Sequence, residues 1–329
     1  MNNIKKVYQW FGSKNSILAF FLLFIFASIV FADRGFSSFN SVQNLLRKAA
    51  SDGGFLALGM TFVIMVGGID LSVGAVMALG GVAMALVAQV DPFLGLAVGL
   101  LVGISCGFLN GFMVAKMKLS AWIATLAMML GVRGIVFLMT DRVPVSVTHP
   151  MLRALGNQRV LGFNILIIFL LISVFICMHI SRNTRFGMGI YAVGGNEEAA
   201  RMMGLKVDKI KIMAFTMSGL FASIAGILLA GRLYTAQPIA GISWETTAIA
   251  MCALGGVKLS GGEGKFSGTF FGIMIITVIG TIFNFAGNIN SWWQNTLMGV
   301  LILIAVGVQS DVLKFKKKKI LTKEKAWEA

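Results

Sequence analysis

Runs of about twenty consecutive apolar residues recur along this chain, and they constrain its fold more than any other feature. A bilayer core about 30 Å thick takes roughly that many residues of α-helix to cross. Hydrocarbon offers no hydrogen-bond partners, so a spanning segment must satisfy its own backbone. Barrel strands would alternate apolar and polar residues, and these runs do not. Of the 329 residues, 57% are hydrophobic and 12% charged, and the latter is about half the share found in soluble domains. The expected fold class is an all-α polytopic membrane protein of about ten transmembrane helices, with broken Gly-rich segments and a short cytoplasmic helix.

By apolar length the spans fall at 15–32, 49–66, 72–90, 93–114, 120–140, 162–180, 212–231, 246–257, 266–285 and 294–309. This gives a cytoplasmic N-terminus (1–14), one transmembrane domain (15–309) and a basic cytoplasmic tail (310–329). Lysine and arginine favour the cytoplasmic side. Lys5, Lys6 and Lys14 put the N-terminus inside, and the count then places Lys116, Lys118 and the basic 181–211 connection inside as well. The outer loop 141–161 carries Arg142, Arg153 and Arg159 against the trend. The net charge of +15 sits at chain ends and short loops, including Lys314 and Lys316 to Lys319. That distribution points to a membrane surface and its lipid, not to nucleic acid.

Enzymatic and metal chemistry find little support. Cys106, Cys177 and Cys252 are singletons in apolar runs, where cysteine acts as a small hydrophobe. No spacing suggests a metal site. GGEGKFSG (261–268) resembles a phosphate loop, but Phe266 follows Gly264-Lys265 where Ser or Thr is needed. His149, before Pro150 in the outer loop, and His179, ending a span beside Arg182, are the only histidines, and each reads as an interfacial histidine rather than half of a nucleophile–base pair. No catalytic residue and no cofactor is expected, and ATP hydrolysis, if it drives the chain, belongs to another subunit.

Two short stretches stand out. In VGGIDLSVGA (66–75) the only charge is Asp70. Gly67 and Gly68 permit a turn there, and Asp70 can cap the next helix through the N–H of Ser72 or Val73. GGIDLSVG (67–74) is echoed by GGVKLSGG (255–262), which sets Lys258 where Asp70 aligns and allows an ion pair between them. Transporters built from two related halves carry such breaks at corresponding places. In YAVGGNEEAARMMGLKVDKIKI (191–212), Asn196 is a good N-cap, Glu197 and Glu198 suit a first turn, and Ala199, Ala200 and Arg201 favour helix. Gly204 suits a left-handed stop. A helix of about two turns is expected, with Met202, Met203 and Leu205 as an adaptable docking face.

The chain resembles the permease subunits of bacterial ABC importers for monosaccharides, the ribose, xylose, galactose and galactofuranose group. The stretches that carry the likeness are GMTFVIMVGGIDLSVGAVMALGG (59–81), NTRFGMGIYAVGGNEEAARMMGL (183–205) and TTAIAMCALGGVKLSGGEGKFSGTFFG (246–272), within a likeness running from Ser41 to Gln309. Lys258 and Glu263 depart from the small or polar residues expected there. The resemblance implies two permeases, identical or paralogous, in the bacterial cytoplasmic (inner) membrane, with two ATP-binding subunits beneath and an extracytoplasmic sugar-binding protein above. It implies that Gly194, Gly195, Asn196, Glu197, Glu198, Ala199, Arg201 and Gly204 form the ATPase-coupling segment. The 141–161 and 232–245 loops would face the binding protein. Gly67, Gly68, Asp70, Ser72, Asn110, Glu245, Thr247 and Asn284 are the candidates for the pathway or its structural break. The alternatives are a self-sufficient carrier or channel for a small polar solute, and an intramembrane enzyme.

Overall fold

The computed structural model describes residues 13–287 and the single positions 293, 296, 297, 299, 300, 301 and 303. Most of the expected tenth span and all of the 310–329 tail lie outside the described residues. The helices are α1 (Ser13–Val30), α2 (Phe39–Ala49), α3 (Phe55–Met65), α4 (Val73–Val87), α5 (Pro92–Ala115), α6 (Ala121–Thr140), α7 (Pro150–Asn157), α8 (Ile165–Asn183), α9 (Arg185–Gly195), α10 (Glu197–Met202), α11 (Val207–Leu233), α12 (Trp244–Leu254) and α13 (Phe266–Ala286). Among the described residues, α5, α6, α8, α11 and α13 are long and apolar enough to cross a membrane, at 24, 20, 19, 27 and 21 residues.

The bundle is organised around α11, whose buried face runs from Val207 to Gly231 and packs on α3, α4 and α5. Lipid tails are as apolar as leucine, so close packing rather than the hydrophobic effect must hold such helices together. The sequence supplies that closeness with Gly95, Gly99, Gly103, Gly107 and Gly111, one every four residues on α5. A Cβ on Gly107 would stand 2.4 Å from the Phe215 carbonyl oxygen, and one on Gly219 would stand 2.1 Å from that of Gly103. The two backbones touch, and no larger residue fits.

Several expected boundaries move. The second span is not one helix over 49–66: α2 and α3 are joined by a wide turn at 50–54, where Asp52 leaves helical angles and Gly53 takes φ +106°. Arg232 of α11 reaches Ser51 and pairs with Asp52 at 3.1 Å across that turn. The seventh span begins earlier, at Val207, because Asp208, Lys209 and Lys211 continue the helix beyond its apolar run. The 181–211 connection holds two helices instead of one. Thr184 starts α9 by accepting the Gly187 N–H at 3.0 Å, a capping signal passed over in the sequence.

At one end of the bundle, here the strand end, the 141–161 and 232–245 connections are knitted together. β1 (Val145–Ser146) pairs antiparallel with β4 (Thr235–Ala236), and β2 (Arg159–Val160) with β3 (Phe163–Asn164). Asn157 donates to the Gly231 and Arg232 carbonyls. The guanidinium of Arg153 lies 5.0 Å from the Tyr234 ring centroid. His149 caps α7 through the Met151 N–H, a structural use.

Candidate functional site

At the opposite end, here the loop end, three glycine-bearing segments meet backbone to backbone. The Gly262 N–H donates to the Met65 carbonyl at 3.0 Å. A Cβ on Gly194 would fall 1.8 Å from that carbonyl oxygen and 2.5 Å from the Gly262 nitrogen. One on Gly261 would lie 2.9 Å from Gly67 N and 3.0 Å from Gly194 O. The stretches 65–68, 194–195 and 261–262, far apart in the chain, thus form one junction. Beside it a cavity of about 300 Å³ is lined by Gly67, Gly68, Lys118, Glu197, Lys211 and Phe215, among others, so the glycine break and the short helix share a space.

The short helix is α10. Asn196 accepts the Ala199 N–H at 2.9 Å and Gly204 takes φ +81°, as the cap-and-stop pattern of the sequence dictates. Its inner side is pinned by charge: Glu197 meets Lys211 at 2.5 Å and Arg201 at 3.3 Å. Arg201 also reaches Asp208 at 3.0 Å, and Lys116 and Lys118 complete the network on Asp208. Its outer side is free: Met202 and Met203 are 82% and 69% exposed, and Glu198 is exposed too.

The hydrogen bond from Lys211 holds the Glu197 carboxyl below its ordinary value of 4.5, with help from the Lys211 charge, Arg201 and Lys118. A group with a depressed folded value stabilises above its unfolded value and loses that contribution as pH falls through the folded one. The clamp on α10 is therefore expected to hold at neutral pH and to loosen on acidification below about pH 4.5. Protection of the 197–204 amides, measured against their intrinsic exchange rates at each pH, should fall there in the wild type. In Glu197→Gln it should be lower already at neutral pH, with that step lost.

The break between α3 and α4 is a separate piece of design. The Gly68 N–H donates to Val63 O and the Gly67 N–H to Ile64 O, both at 2.9 Å, with Gly67 at φ +80°; this is a Schellman stop. Asp70 is 1% exposed. Its Oδ1 accepts the Ser72 N–H at 2.9 Å and the Ser72 hydroxyl at 2.6 Å, and its Oδ2 accepts the Ser218 hydroxyl at 2.8 Å. Asn110 of α5 donates to Ser72 Oγ at 2.9 Å. Thr125 of α6 accepts the Leu71 N–H at 3.1 Å. Side chains from three helices thus hold a segment that satisfies little of its own backbone. Ser218 and Thr125 were not among the expected residues.

The echo at 255–262 is real in shape but offset by one residue. Gly256 takes φ +79° and donates to Ala253 O, and the Val257 N–H donates to Cys252 O. Gly256, not Gly255, corresponds to Gly67, so Leu259 stands where Asp70 does. The expected Asp70–Lys258 pair is not formed: Lys258 meets Glu263 at 3.0 Å, and among the described residues no cation pairs with Asp70. Glu245 and Thr247 lie half-buried on α12, with Glu245 Oε2 beside Gly74. Asn284 is exposed near the end of α13, apart from the cluster. A charge missed in the sequence, Arg133 within α6, donates to the Pro238 and Ala240 carbonyls at 2.7 and 2.9 Å.

A protein-family model described as a branched-chain amino acid transport system permease component matches residues 44–306. The chain belongs to this family of membrane permeases. The ribose import permease RbsC of Bacillus subtilis (strain 168) is 40% identical over 293 residues, covering 88% of this chain and 90% of that protein. The L-arabinose transport system permease AraH of Escherichia coli (strain K12) is 38% identical, covering 88% of each. The inner membrane ABC transporter permease YjfF of the same strain is 35% identical, over 84% of this chain and 85% of that protein. No solved structure matches the chain.

Proposed function

We propose that this permease is the transmembrane subunit of an ATP-driven monosaccharide importer in a bacterial cytoplasmic membrane. The observation that carries the reading is the glycine junction. It joins a short, rigid, capped helix to the end of α3 and to the loop between α12 and α13, so a force on α10 reaches those helices without a flexible link. The exposed Met202, Met203 and Glu198 would seat α10 in a separate ATPase subunit. The relatives' printed substrates, ribose and arabinose, favour a sugar over the amino acids in the family description.

In this reading the loop end is cytoplasmic, ten crossings bring both termini to that side, and two permease copies or a related pair form the path. The paired strands at the far end meet the extracytoplasmic binding protein that selects the sugar. Asp70, Ser72 and Asn110 hold the break between α3 and α4, while Glu245 and Thr247 stand nearer the path. Proteoliposomes carrying the permease with its ATPase subunits and binding protein should accumulate labelled pentose only with ATP. Flux from the permease alone would overturn the reading in favour of a self-sufficient carrier.

A further inference from the structure

A cavity of about 600 Å³ lies between α5, α11 and the end of α10. Its chemistry changes along its length. At the loop end it is lined by Lys116, Arg201, Lys206 and Lys209, against one carboxylate, Asp208. Asp208 is already shared by Lys116, Lys118 and Arg201. Lys206 and Lys209 are exposed and make no ion pair among the described residues. Deeper in, the walls are mostly apolar: Phe108 on α5 lies across from Met213 and Met217 on α11, and the one hydroxyl there, Thr216, donates to the Ile212 carbonyl of its own helix. Phe108 precedes Lys116 by eight residues, and Met217 follows Lys209 by eight. At 1.5 Å per residue, both walls pass from cation to hydrocarbon over about 12 Å.

We propose that this groove seats one anionic phospholipid, its phosphate on Lys206 and Lys209 and an acyl chain against Phe108, Met213 and Met217. An excess of cations at the rim asks for an anion, as basic pockets between spans do for acidic headgroups. A free anion would leave the apolar wall uncovered. A soluble subunit docked on α10 would have to reach about 12 Å into hydrocarbon to fill it. A lipid meets both demands at once. Phe108 is 48% exposed, so the wall opens sideways to the bilayer. The proposal needs only that α5 and α11 span a membrane, and stands whether or not the cargo is a sugar.

The test is native mass spectrometry of the purified full-length permease with added phosphatidylglycerol, phosphatidylcholine or glycerol 3-phosphate. One phosphatidylglycerol should be retained with at least about tenfold preference over phosphatidylcholine, and glycerol 3-phosphate should not displace it. Lys206→Gln with Lys209→Gln leaves the Asp208 network intact and should weaken retention by about tenfold or more. Met213→Trp should weaken it by filling the groove, with thermal unfolding showing that the variant is folded. Equal retention of the two lipids, or an unchanged double variant, would overturn the proposal. So would efficient disulfide formation between two copies carrying Phe108→Cys in membranes, which would make the groove a subunit interface. Each readout is independent of transport, so a failed sugar assay leaves it untouched.

Discussion

Gly194→Ala is expected to abolish transport and lower the melting temperature of the purified permease, while Gly195→Ala leaves both near wild type. The two glycines are neighbours in GGNEEAA and look equivalent in sequence. Around Gly194 an added Cβ would fall 1.8 Å from the Met65 carbonyl oxygen, the acceptor for the Gly262 N–H. Both obstacles are backbone, so no rotamer change relieves the clash. Forcing a methyl group into a well-packed site typically costs about 1–3 kcal/mol, and rigid backbone neighbours put Gly194 at the upper end. Relief must come from parting the three segments, which breaks the Gly262–Met65 bond and frees α10 from the end of α3 and the α12–α13 loop. Gly195 is exposed and a Cβ there would meet nothing within 4 Å. Melting curves, co-purification of the ATPase subunits and transport assays on the two variants decide it. Equal behaviour of the two would remove the junction from the mechanism.

The contrast between those glycines shows where sequence stops being informative. Apolar length pointed to the five described helices long enough to cross, since crossing a bilayer sets a minimum run whatever the neighbours are; it missed the turn at 50–54 that splits the second expected span. Local chemistry located α10, because Asn196, Glu197 and Gly204 act within a few residues of themselves. The meeting of 65–68, 194–195 and 261–262 depends on contacts between segments far apart in the chain, and no local pattern encodes it. The same holds for Ser218 and Thr125, ordinary in their helices until the break between α3 and α4 comes to rest on them. Other features were legible and passed over. The four-residue glycine spacing of α5 signals a close helix contact, and Arg133 in an apolar run signals a partner. The pairing of Lys258 with Asp70 failed for a plain reason: letters align GGIDLSVG with GGVKLSGG one residue away from where their backbones correspond.

Asp70 supplies the second large effect. Asp70→Ala is expected to cost at least about 3 kcal/mol, because three buried donors lose their acceptor and each unsatisfied group costs roughly 1–3 kcal/mol. Those donors are the Ser72 N–H, the Ser72 hydroxyl and the Ser218 hydroxyl. Asp70→Asn keeps an acceptor for Ser72 and turns an amide N–H toward the Ser218 oxygen, which can accept. Its cost should be about 1 kcal/mol or less, the worth of one ordinary hydrogen bond. Ser218→Ala should fall between them, since it strips one carboxylate oxygen of its donor and leaves the other intact. Melting temperatures in that order, with transport following stability, would make Asp70 a clamp whose acceptor geometry matters and whose charge does not. A folded Asp70→Asn protein that fails to transport would reverse the conclusion. A carboxylate with no cation beside it among the described residues, held by the hydroxyls of Ser72 in the break and Ser218 on α11, would then be acting through its charge during the transport cycle.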